Sequence, residues 1–120
     1  MQHSYRFEIV DGQIAKINEV SEEVLGVLKP RGTSIVQVLP LGGQLVVRED
    51  YYEFPYKQSN VYCVSGSFQP IWNAELPSWR DAYANPVLLL DGWLHCASWN
   101  GMSCTIDPSF GRIVKKVFTK

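Results

Sequence analysis

Two stretches, VYCVSGSFQPIWNAEL at positions 61–76 and SCTIDPSFGRIVKKVF at positions 103–118, are versions of one pattern. At an offset of 42 residues Val64 falls on Ile106, Ser67 on Ser109, Phe68 on Phe110 and Ile71 on Ile113. Working upstream, Val38-Leu39 falls on Val87-Leu88, Leu41 on Leu90, Gly43 on Gly92 and Leu45 on Leu94, now at an offset of 49. The change of offset places a seven-residue insertion in the first copy, within Asp50–Gln58.

Each copy reads as strands. Asp11-Gly12, Gly42-Gly43, Asp91-Gly92 and Asn100-Gly101 separate apolar, β-branched runs, and such pairs supply the positive φ angles of two-residue hairpin turns. An internal period of 40–50 residues with four strands per unit is the signature of propeller-type blades. The fold class is therefore all-β: an antiparallel meander of two tandem four-stranded blade-like sheets, unit one over 34–76 and unit two over 86–118, preceded by an N-terminal hairpin over 5–17. The whole chain, 1–120, reads as one domain.

In that hairpin Ile9 faces Ile14, and Tyr5, Phe7, Ile9 and Ile14 share one face. Arg6, Glu8, Gln13 and Ala15 lie on the other, with Val10 and Ile17 as apolar exceptions. Ser21-Glu22-Glu23 reads as the start of one helical turn capped by Ser21, and Lys29-Pro30-Arg31-Gly32 as a loop. A second helical turn is expected at Trp79-Arg80-Asp81-Ala82 in the link between the units. Taking Asn100-Gly101 as a two-residue turn puts Leu88, Leu90, Trp93, His95, Ala97, Trp99, Met102, Cys104 and Ile106 on one face of unit two. That face is expected to pack on unit one.

Composition narrows the functional classes. Hydrophobic residues make up 46% of the 120 and charged ones 19%, which is globular. The net charge of −1, without a cluster of Lys and Arg, excludes an ordinary nucleic-acid binder, which needs a basic footprint. MQHSYRFEIV lacks the apolar core of a secretory leader. The aliphatic run Val87–Leu90 is far below the ~20 residues of a membrane helix, so no membrane association is expected. Three cysteines without a C-x-x-C clip fit a reducing, cytoplasmic location.

Asn60–Trp72 and Trp99–Ile113 resemble the repeats of PQQ-like (quinoprotein-type) propellers, and in particular small bacterial proteins that carry one or two of them. The resemblance covers about residues 34–118. It implies blade architecture and a docking Trp on the second strand of each repeat, met here by Trp72. Unit two departs from the pattern, with Phe110 in its turn and no Trp following. Two units imply no quinone, and no cofactor is expected.

Candidate chemistry is thin. In the expected register Cys104 faces Ala97, and Cys96 points to the opposite side, which argues against both a Cys–His couple with His95 and a Cys96–Cys104 disulfide. His95 and Cys104 offer only two of the ligands a metal needs. Glu49 and Asp50 are strand neighbours that point apart. The expectation is of a protein with no catalytic residue and no metal site.

The insertion is the better lead. Asp50–Lys57 carries Tyr51, Tyr52, Phe54 and Tyr56 on a connection that the other copy makes short, and exposed loops rich in Tyr are typical of binding surfaces. With Trp79 and Trp99 these residues form the candidate partner-binding set. A non-enzymatic module of adaptor or immunity type, binding another protein, is the leading expectation. A small-molecule or carbohydrate sensor with a Tyr/Trp stacking pocket is the alternative, and a hydrolase built on His95 comes third. Residues 1–28 carry a net charge of −3 and the last ten +4. The favoured reading is of solvated edges in which Lys guards an exposed strand. The alternative matches the acidic opening to the basic last strand, within one chain or between two, as in a homo-oligomer joined through edge strands.

Overall fold

The structure, a computed structural model, describes residues 4–55 and 57–119. All regular structure among them is strand. β1 (Tyr5–Val10), β2 (Gln13–Asn18) and β3 (Val24–Leu28) form the first sheet. β4 (Ile35–Leu41), β5 (Gln44–Glu49), β6 (Val61–Ser65) and β7 (Pro70–Asn73) form the second. β8 (Leu88–Leu90), β9 (Trp93–Ala97), β10 (Met102–Ile106) and β11 (Ile113–Phe118) form the third. In every sheet the strands lie side by side in chain order, each antiparallel to the next.

Three of the four glycine turns behave as read. Asp11-Gly12, Gly42-Gly43 and Asp91-Gly92 have both residues at positive φ, between 51° and 81°, the geometry that matches strand twist. The resulting registers pair Ile9 with Ile14, Leu41 with Gln44 and Leu90 with Trp93.

The fourth turn corrects the expected register of unit two. Gly101 N–H donates to Ser98 O at 3.1 Å and Ser98 N–H to Met102 O at 2.9 Å, and of the turn residues only Gly101 is at positive φ, 89°. This is a three-residue loop, a type I turn followed by a left-handed glycine. The pairing moves by one residue, so the expected face is split: Met102, Cys104 and Ile106 of β10 pack inward as expected, while the residues of β8 and β9 assigned to the same face turn outward. Cys104 lies opposite Cys96, not Ala97, and Thr105 lies opposite His95. Leu94, Cys96, Cys104 and Ile106 are the buried set, while Leu88, Leu90, Trp93 and His95 face outward.

Neither helical turn forms. Asn18 Oδ1 accepts the N–H groups of Val20 and Ser21 and folds 18–23 into a turn that delivers β3, so the N-terminal unit is a three-stranded sheet rather than a bare hairpin. Trp79-Arg80 is a plain turn closed by Asp81 N–H on Ser78 O at 3.3 Å.

The second sheet is buried on both faces, which explains its unbroken apolar runs Leu45–Val47 and Val61–Val64. Leu45, Val47, Tyr62 and Val64 pack with Ile14, Phe7 and Leu28 of the first sheet. Val46, Val61 and Cys63 pack with Leu94, Cys96, Cys104 and Ile106 of the third, around Tyr83 and Val87. Polar clasps lock this second seam. The Gln37 amide exchanges hydrogen bonds with both backbone groups of Val87 at 2.8 Å. Asn60 does the same with Tyr83 and adds a bond to Glu49 O. Trp72 Nε1 donates to Pro108 O at 3.0 Å, the docking role that its place in the repeat implies.

The sheets form an open arc of 47 × 31 × 20 Å. Gly12 O accepts the N–H of Ile35, where β4 begins, and β1 lies against β4. β1 therefore runs in the direction of β5, and the first sheet supplies counterparts of β5, β6 and β7 without one of β4. Among the described residues the acidic opening and the basic last strand do not meet: β11 has β10 as its neighbour, and β1 has β2 and β4.

Candidate functional site: an aromatic groove at the loop rim

One rim of the arc collects the loops 29–34, 50–60, 78–82 and 98–101. The insertion is anchored at its root to the 29–34 loop. Asp50 N–H bonds Ser34 O at 2.8 Å, Thr33 Oγ1 donates to Asp50 O at 2.6 Å, and Asp50 Oδ1 accepts from Tyr52 N–H at 3.0 Å. Phe54 and Pro55 press so closely on Gly32 that a Cβ there would lie 2.4 Å from Pro55 Cδ. The loop is a packed platform rather than a loose tether.

On this platform Tyr51 stacks on Trp99, ring centroids 5.3 Å apart at 25°. Trp79 lies between two cations, Arg80 Cζ at 4.5 Å and Lys57 Nζ at 5.7 Å from its ring centre, a favourable geometry for cation–π attraction. Tyr51, Tyr52, Phe54, Trp79 and Trp99 line one open groove of about 420 Å³. Five of the six expected residues are thus brought together; Tyr56 lies outside the described residues. Tyr52, Trp79 and Trp99 remain 69%, 55% and 57% exposed, so their rings are offered to solvent rather than used to cap the core.

A second groove of about 580 Å³, lined by Arg31, Asn73, Leu76 and Ser78, shares Lys57, Gln58 and Trp79 with the first. The two adjoin at these three residues. Arg31 is fixed by Asn73 Oδ1 at 2.6 Å and by the face of Tyr62, 3.7 Å from its guanidinium.

Sequence reasoning missed two carboxylates here. Asp81 lines the aromatic groove and is nearly buried; its Oδ1 accepts from Ala82 and Asn100 N–H, and its Oδ2 has no protein partner. Glu49 is fully buried beneath the rim and accepts from the backbone N–H groups of Arg31, Gly32 and Thr33 and from the Tyr62 hydroxyl, at 2.6–3.0 Å. Burial pushes Glu49 up, yet those four donors push it down by more, and its carboxyl stands below the ordinary value. Residues 13–18 positions apart make this clamp, so no local motif announces it.

The groups weighed for catalysis lie apart from this groove. His95 sits on the outer face of the third sheet with Thr105 Oγ1 3.5 Å from its Nδ1. Among the described residues no three His, Cys, Asp or Glu side chains converge as a metal site. All three cysteines are free and buried. Burial pushes Cys63 up to about 11 and Cys96 up to about 12, and raises Cys104 as well. Raised, covered thiols are poor nucleophiles. Accordingly, Ellman's reagent at pH 8 should find no fast-reacting thiol in the folded protein and three after denaturation. A native thiol that reacts at the denatured rate would contradict the buried Cys96–Cys104 register.

No protein-family model and no curated protein matches this sequence. Solved structures do. The chain superposes on the computationally designed Ika8 protein with a TM-score of 0.65 at 12% identity, over 97% of this chain and 33% of that one. It superposes equally well, at 0.65 and 12%, on the β-propeller domain of Myceliophteria thermophila Cps50 (Swd1), over 98% of this chain and 40% of that one. The chain spans about a third to two fifths of the length of these structures. The likeness establishes a propeller-like fold.

Proposed function

We propose that the protein is a cytoplasmic, non-enzymatic binding module of adaptor or immunity type, related to bacterial PQQ-like repeat proteins, that holds an extended segment of another protein in the rim grooves. The observation that carries this reading is the convergence of five aromatic side chains on one groove, three of them more than half exposed. Large rings supply contact area at small entropic cost and dominate binding hot spots. The adjoining second groove, with Arg31 and Lys57 along it, suits a linear chain that carries apolar and acidic side chains. The stacked platform under the groove limits the ordering cost of binding.

A carbohydrate ligand is the second reading, favoured by the Tyr51–Trp99 stack and the exposed Tyr52 and Trp79 rings, on whose faces a sugar ring can pack. Selection of displayed peptides and of an arrayed glycan set against the wild type and Tyr52→Ala/Trp79→Ala separates the two. Selected peptides should bind the wild type at least about tenfold more tightly than the double variant, roughly 1.4 kcal/mol or more. Peptides that bind both forms equally would remove the groove from the account. Glycans that bind only the wild type would establish the second reading.

A further inference from the structure

The second sheet shows how each face of a blade is used in this molecule, and the same faces lie open at the two ends of the arc. Leu39, Leu41 and Trp72 pack against the third sheet. Their counterparts one repeat later are Leu88 and Leu90, each 53% exposed, with Trp93 beside them and Lys115 at the place of Trp72. At the other end Val10, Val24 and Val27 stand around an outer groove of about 380 Å³ floored by Ala15 and Ile17. Two apolar sheet faces left to water in so small a protein are interaction surfaces.

We infer that a second copy of this chain covers them: copies stack head to tail, the outer face of the third sheet of one against the outer face of the first sheet of the next, and so continue the arc towards a closed ring. Charge favours this pairing. Residues 4–28 hold five acids against Arg6 and Lys16, and Lys16 is turned inward onto Gly66 O at 3.1 Å. Residues 108–119 hold Arg112, Lys115 and Lys116 and no acid, with Lys115 opposite Thr105 on the outer face. Stacking of like ends is disfavoured by the same charges. The arc also fits the task, because it matches 33–40% of longer structures, one of them a propeller domain, so two to three copies fill a ring of that size. A head-to-tail contact generates a ring when its rotation closes.

Sedimentation velocity across micromolar to millimolar concentrations tests this. The wild type should show masses that are multiples of 13.6 kDa. Trp93→Glu, which spoils the third-sheet face, and Val24→Glu, which spoils the first, should each be monomeric with unchanged thermal melts. Mixed in equal amounts they retain one intact contact and should form a dimer. A monomeric wild type, oligomers that survive either substitution, or a mixture that stays monomeric would each overturn the proposal. Should either variant melt early, Leu88→Glu and Val27→Glu probe the same two faces.

Discussion

Gly111→Ala is expected to cost about 2–5 kcal/mol of stability and to open the seam between the second and third sheets before the rest of the arc. Two effects add. Gly111 sits at φ 75°, where an L-residue pays roughly 1–2 kcal/mol. An added Cβ would also lie 2.4 Å from Trp72 Cε3, 2.8 Å from Cδ2 and 3.0 Å from Asn73 O. Trp72 cannot swing aside, because its Nε1 is bonded to Pro108 O and its ring belongs to the core seam. Overpacking of that kind costs about 1–3 kcal/mol.

Gly92→Ala is the internal control. Gly92 has φ 81° and nothing within 4 Å of an added Cβ, so only the backbone cost applies there. Urea midpoints should place Gly111→Ala well below Gly92→Ala, and Trp72→Ala should offset part of the Gly111→Ala loss by freeing the space. Equal midpoints for the two glycine variants would mean that Trp72 does not dock on the turn.

The contrast between these glycines bears on how far the chain could be read without coordinates. Turn chemistry and periodicity act over a few residues, and there the reading was sound: Asp11-Gly12, Gly42-Gly43 and Asp91-Gly92 fixed three registers. The repeat offset located Trp72 and the insertion. Asn100-Gly101 misled because the same dipeptide serves two- and three-residue loops, and a change of one residue exchanges the buried and open faces of a strand. β3 was hidden because Gly26 interrupts its apolar run, a gap filled from elsewhere in the chain by the Phe68 ring, 3.6 Å from where a Cβ would stand. The aromatic half of the candidate groove was legible from composition on a loop. Asp81 and Glu49 were not, since Glu49 is held by residues 31–33 of the preceding loop and by Tyr62 on the next strand, and Asp81 by Asn100 of the β9–β10 turn, partners that no local pattern joins.

Glu49→Ala is the other large effect expected, at least about 3 kcal/mol, because it strips four donors of the fully buried carboxylate that accepts from them. A buried donor left unpaired costs about 1–3 kcal/mol, and Glu49 is the acceptor of the Arg31, Gly32 and Thr33 N–H groups. Glu49→Gln keeps one oxygen for Gly32 and Thr33 but sets an amide N–H₂ against the Arg31 N–H and the Tyr62 hydroxyl. It too is expected to destabilise, by less than the alanine. The carboxylate also gives stability a pH dependence with a definite sign. Its folded value lies below the unfolded one, which is about 4.3. The unfolded state therefore binds the proton first as pH falls, so the contribution is complete above that value and is lost as pH drops through the lower folded value. Urea midpoints of the wild type should fall more steeply than those of Glu49→Gln below about pH 4.3 and run parallel to them at neutral pH. Parallel curves throughout would show that the clamp is not held by the charged form. Because Glu49 anchors 31–33, and Thr33 in turn anchors Asp50 at the root of the aromatic loop, the same acid titration should loosen the groove. Quenching of rim Trp fluorescence by acrylamide should rise over that window in the wild type, ahead of global unfolding.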